Sequence, residues 1–153
     1  MRTVAILMLL LWGWGWGCGK PPDRLTPYVE KVKPLEKYHK KLIQYRKYLK
    51  TEGMARQAHD ISKVFEDYRS DLEAIGPTED KYIRAAHNNV KRALTRALTK
   101  LVQPDFPTFI PSANKQIDLI ERKVKVDYLD ALRKRWERAG KTEPFPLAWP
   151  EED

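Results

Sequence analysis

Residues 54–75 read Met54-Ala-Arg-Gln-Ala58-His-Asp-Ile61-Ser-Lys-Val-Phe65-Glu-Asp-Tyr68-Arg-Ser-Asp-Leu72-Glu-Ala-Ile75, and the apolar positions alternate steps of four and three without a break. That spacing puts one side chain per helical turn on a single seam and predicts an amphipathic helix with a coiled-coil-like face. Residues 79–102 repeat the pattern through Ile83, Ala86, Val90, Leu94, Ala97 and Leu101. Thr78 is the expected N-cap of that segment, with Glu79 and Asp80 complementing the helix dipole in the first turn. A third such segment is expected from Ser112, as N-cap, to Ala139, through Ile117, Ile120, Val124, Tyr128, Ala131 or Leu132, and Trp136. Ahead of all three, Leu35, Tyr38, Leu42, Tyr45 and Leu49 form a further stripe. Its helix starts near Pro27 and is expected to kink or split at Pro34, which cannot bond the Glu30 carbonyl.

Gly53, Gly76 and Gly140 each fall where a stripe stops, as helix C-caps do. No stretch reads as a strand. The expected fold is therefore all-α: an antiparallel four-helix bundle over residues 27–139, with up-down connections and one longer Pro-rich link, Gln103 to Pro111. Phe106 and Phe109 in that link are expected to cap the core. The segment 140–153, with prolines around Phe145, Leu147 and Trp149, should be an extended tail. These three apolar side chains are candidates for docking a partner or for packing on the tail's own bundle.

The first nineteen residues are of a different kind. Arg2 is their only charge, and it precedes the apolar run Val4 to Trp12, a charged start and short hydrophobic core like those of a secretory signal. Extended through Gly17, the run has about 14 residues against the roughly 20 of a spanning helix, and alternating glycines weaken helix further. Gly15-Trp16-Gly17-Cys18 then resembles the lipobox of bacterial lipoproteins, although Gly15 stands where Leu is commonest and Trp16 is bulkier than usual. The resemblance covers residues 1–19 only. It implies a signal peptide 1–17 cut behind Gly17, a diacylglyceryl group on Cys18, and a lipidated tether over residues 18–26. It also implies an exported, membrane-anchored protein, and Gly19, where an Asp would favour the inner membrane, points to the outer membrane, facing the periplasm. Two or three acyl chains anchor stably where one does not.

Composition narrows the function classes. The chain has 153 residues with a single cysteine, so an intramolecular disulfide, a Cys-based zinc site and a CxxC redox pair are all excluded. An acylated thiol also explains how a lone cysteine persists in an oxidising compartment. GxSxG, P-loop and GxGxxG motifs are absent, and Ser62, Ser70 and Ser112 have no nucleophile context. His39, His59 and His87 form no metal-binding spacing, and Glu36-Lys-Tyr-His39 is one ExxH where a di-iron bundle needs two. These histidines are expected at the surface. The expectation is thus of a non-catalytic binding or structural module with no metal and no cofactor. An envelope hydrolase using carboxylates such as Asp67, Asp71, Asp118 and Glu121 is the enzymatic alternative.

Charge is uneven. Residues 30–50 hold eight basic and two acidic side chains, residues 51–80 three and eight, and residues 81–103 six and none. If the middle block lies between its neighbours, its carboxylates neutralise part of both. The alternative is an exposed anion-binding face made from Lys33, Lys40 and Lys47 at seven-residue spacing, with Lys37, Lys41, Arg84, Lys91, Arg92 and Arg96. Such a face belongs to a second reading of the chain, a soluble exported helical bundle that binds lipid head groups or an anionic polymer of the envelope. Nucleic acid is disfavoured, because Tyr38 and Tyr45, which would have to stack on bases, lie on the core stripe and export separates the chain from most nucleic acid.

Overall fold

The structure, a computed structural model, describes residues 22–51, 60–76, 78–101 and 106–151, with backbone alone at 106–108. The signal, Gly17, Cys18, the Gly53 cap, Met54, Ala58 and His59 lie outside these residues. What is described is all-helical, with no strand among the described residues: α1 (Leu25–Val32), a 3₁₀ turn (Lys33–Leu35), α2 (Glu36–Lys50), α3 (Ile61–Ile75), α4 (Lys81–Lys100), α5 (Phe106–Arg122), a π-helical segment (Lys123–Leu129) and α6 (Asp130–Arg138).

α1 opens two residues earlier than Pro27 suggests. The Asp23 carboxylate accepts the Leu25 and Thr26 amides at 3.1 and 3.2 Å, and Pro27 falls in the first turn, where no amide is needed. The 3₁₀ turn sits at Pro34, as the missing amide requires, and α2 continues from it. α3 ends at Gly76, whose φ of 73° is open to glycine and costly for other residues. Thr78 is not the cap of α4. Asp80 is, its carboxylate accepting the Tyr82 and Ile83 amides at 2.9 and 3.2 Å, a stronger acceptor than a hydroxyl two residues earlier.

A larger departure concerns the expected link from Gln103 to Pro111. From Phe106 onward it is helix, and Ser112 lies within α5 instead of capping it. Pro107 occupies the tolerant first turn, so Pro111 removes only one helical hydrogen bond, while continuing the helix buries Phe109, Ala113 and Ile117. Phe109 is thus a core residue on a helix and not part of a capping loop.

The seams meet inside. Ile61, Phe65, Tyr68 and Leu72 of α3 are fully buried, as are Val90, Leu94 and Ala97 of α4, and Ile117, Ile120, Val124, Tyr128 and Leu132 of the long last rod. Helix α3 packs against α2 and α4; α5 also touches both α2 and α4, and α1 lies on α3 and α6. Between α5 and α6 the wider π turn brings Val124, Tyr128 and Leu129 inward and leaves Val126 59% exposed.

Candidate functional site

Polar groups thread the core. Tyr28 Oη lies 2.9 Å from Tyr128 Oη and 3.2 Å from His87 Nδ1, joining α1, the π segment and α4. A second group joins α2 to α3, where His39 Nε2 and Tyr68 Oη are hydrogen-bonded at 2.8 Å and Tyr68 stacks on Tyr38 at 5.0 Å. His39 and His87 are both 2% exposed, which corrects the expectation of surface histidines. Each directly follows a seam residue, Tyr38 or Ala86, so the buried arc is wider than the seam. Burial pushes His39 down to about 4, because an imidazolium there would lose its hydration. Burial, followed by the Lys91 charge, lowers His87, and burial raises Tyr68 and Tyr128.

His39 Nδ1 is buried without a partner, and the ring is covered by the tail. Trp149 stacks on it with centroids 4.6 Å apart and planes 23° from parallel. Leu147 and Trp149 are buried and Phe145 half-buried, so in this chain the partner-docking candidates pack on their own bundle. The path is fixed at several points. Lys141 pairs with Asp23 and donates to Thr26 Oγ1 at 2.9 Å, Trp136 Nε1 donates to the Glu143 carbonyl at 2.9 Å, and Phe145 meets the Trp136 ring edge-on. Trp149→Ala is expected to release the tail end, raising its protease cleavage rate about tenfold if stacking contributes about 1.4 kcal/mol. Unchanged cleavage would mean the upstream contacts hold it alone.

Between this tail and the π segment lies a cleft of about 710 Å³. Val126, Leu129, Phe145, Leu147 and Trp149 give it apolar walls, and Glu121, Lys125, Asp130 and Arg133 bring charge to it. Glu121 is held by the buried Arg46 at 2.5 Å, and Asp130 by Arg133 and Lys134, each at 2.7 Å. A mixed apolar and polar lining of this size can bind a small molecule or a peptide segment. The sequence did not disclose this cleft, because its walls come from a π turn and from a tail whose resting place no periodicity encodes.

The basic candidates do not form one face. Lys33, in the 3₁₀ turn, and Lys37, Lys40, Lys41 and Lys47 on α2 are exposed, and Lys37 is taken by Asp71 at 2.7 Å. Arg84, Lys91, Arg92 and Arg96 are on α4, where Lys91 pairs with Glu73 at 3.0 Å and Arg92 donates to Asn89 Oδ1 at 2.5 Å. The acidic helix α3 lies between the two sets and pairs with both, so part of the charge is compensated internally. Carboxylates of the hydrolase alternative are also occupied: Asp118 and Glu121 by Arg46, Asp71 by Lys37 and Tyr38, and Asp67 by Lys63 at 3.9 Å. Among the described residues, no three His, Cys, Asp or Glu side chains are grouped to hold a metal ion, and no helix is long and apolar enough to cross a membrane.

Compared with protein-family models, with curated proteins and with solved structures, the chain matches none.

Proposed function

We propose that this protein is an exported lipoprotein, held by acylated Cys18 on a membrane of the cell envelope and acting as a non-catalytic binding or structural module. The observation that carries the reading is the single cysteine, placed directly behind Gly17 at the end of a short apolar run opened by Arg2. Gly19 favours the outer membrane, with the domain facing the periplasm. The mature domain is, in this reading, an antiparallel four-helix bundle. The five-residue connection 76–80 between α3 and α4, and the contacts of α5 with both α2 and α4, support that closure.

Binding, as opposed to catalysis, is supported by how the polar groups are disposed. Among the described residues, Asp71, Asp118 and Glu121 are tied to cations, His87 is bonded to Tyr28, and His39 is enclosed by Tyr68 and Trp149. The cleft beside the tail has the mixed lining of a recognition site. Partners consistent with this are an envelope protein segment or an anionic polymer of the envelope.

Labelling with radioactive fatty acid in the bacterial host is the test. Wild type should carry label and sediment with membranes, and Cys18→Ser should lose all label, since the Cys18 sulfur is the only place for the diacylglyceryl group. A wild-type chain with a free thiol, or one beginning elsewhere than at residue 18, would refute the anchor.

A further inference from the structure

We propose that the outer face of α4 is a docking surface for anionic phospholipid head groups. It rests on the Cys18 reading only for what brings the chain to a bilayer. From Lys81 to Gln103 the sequence has six basic and no acidic residues, a bias shared by the stretch from Lys37 to Thr51. Arg84, Asn88, Arg92, Arg96 and Lys100 step by four and are all exposed. At 1.5 Å per residue this row runs about 24 Å along the helix. Arg84, Arg96 and Lys100 make no ion pair among the described residues. Lys91, at the flank, is the α4 cation that α3 neutralises, through Glu73.

The spaces between the guanidinium groups are chemically suited to the same ligand. An open groove of about 660 Å³ runs past Ala85, Asn88, Asn89, Arg92, Thr95 and Arg96. Arginine presents a planar fork to phosphate oxygens, and the intervening amides and hydroxyl can bond glycerol or phosphate. The lining also includes Lys91, whose partner Glu73 stands at the groove's edge, and no carboxylate is itself among the lining residues.

Two observations favour a bilayer surface over a soluble polyanion. Cys18 precedes α1 by seven residues, a reach of at most about 25 Å. The start of α1 is tied to the approach of α4 by the Arg24–Glu79 ion pair. An anchored Cys18 therefore keeps the start of α1, and with it the N-terminal end of α4, close enough to the membrane to reach it. At that end Tyr82 is 57% exposed, with Lys81 Nζ and the Arg135 guanidinium each 5.0 Å from its ring centre. An amphipathic ring beside cations is the residue combination that interfaces favour.

The test uses the full chain carrying Cys18→Ser, which cannot be acylated, so its result is independent of the anchor. Sedimentation with phosphatidylcholine vesicles is compared with sedimentation with vesicles containing phosphatidylglycerol. Each cation near an anionic surface strengthens binding about fivefold, so a preference of at least about tenfold for the anionic vesicles is expected, lost at about 0.5 M salt. Adding R84E, R92E and R96E should abolish the preference, and reversing Lys33, Lys40 and Lys41 instead should preserve it. Should the triple variant lose helical circular dichroism, Arg92→Gln alone is expected to weaken anionic binding about fivefold. Equal binding to both vesicles, equal loss from both sets of reversals, or binding to soluble polyphosphate without binding to vesicles would overturn the assignment.

Discussion

Tyr68→Ala is expected to destabilise the protein by about 3–5 kcal/mol, and Tyr68→Phe by about 1–3 kcal/mol. Tyr68 is fully buried, stacked on Tyr38 and hydrogen-bonded to His39 Nε2. Alanine leaves a ring-sized void where α2, α3 and the tail-covered histidine meet, and the surrounding helices relax into it only in part. Phenylalanine fills that space and isolates the polar term. His39 Nδ1 already lacks a partner, so losing the tyrosyl hydroxyl leaves both ring nitrogens unsatisfied away from water. Urea unfolding followed by helical circular dichroism measures both. A phenylalanine variant as stable as wild type would show that the His39–Tyr68 hydrogen bond contributes nothing net. An alanine loss below about 1 kcal/mol would mean that the site is not enclosed.

The contrast between these two substitutions also shows what the sequence discloses. The seam containing Tyr68 was legible, since Ile61, Phe65, Tyr68 and Leu72 recur at helical spacing and all are buried. Its partner was not. His39 stands in Lys37-Tyr-His-Lys-Lys41, a run whose neighbours are mostly exposed cations. It is buried because Trp149, over a hundred residues away, covers its flank. The same holds for His87, Tyr28 and Tyr128, which meet from three separate helices. Periodicity reports which face of a helix is apolar, and tells nothing of which distant segment will shelter a polar side chain beside that face.

Local punctuation fixes a boundary only where it acts through its own backbone. Gly76 and Pro34 act through their own backbone, and both mark the boundaries expected of them. Thr78 and Asp80 compete for one cap, a contest decided by the geometry of the turn. Pro111 reads as a stop but sits where burial of Phe109 and Ile117 outweighs one missing hydrogen bond. The π segment has no sequence mark at all, yet it sets the outward Val126 and one wall of the cleft.

Acidification should weaken the fold well before carboxylates titrate. A histidine whose pKa is about 4 in the folded chain and 6.5 in the unfolded one binds fewer protons when folded. Stability from His39 is therefore complete above about pH 6.5 and falls as pH drops towards 4, by about 2 kcal/mol between about pH 7.5 and about pH 5. His87 acts in the same direction. The Trp149 face opposes the effect, because it attracts an imidazolium by cation–π interaction. That attraction is about 0.5–2 kcal/mol, less than the cost of dehydrating a buried charge, so the sign stands. Asp71 and Asp130, held low by cationic partners, keep their contribution throughout this interval, since it is lost only as pH falls below their ordinary value of 3.8. Urea midpoints across the interval should thus fall for wild type. His39→Phe, which keeps a ring against Trp149, should lose less than half as much. An equal fall in that variant would assign the pH dependence elsewhere, and an NMR titration of folded His39 near its ordinary value of 6.5 would remove its cause.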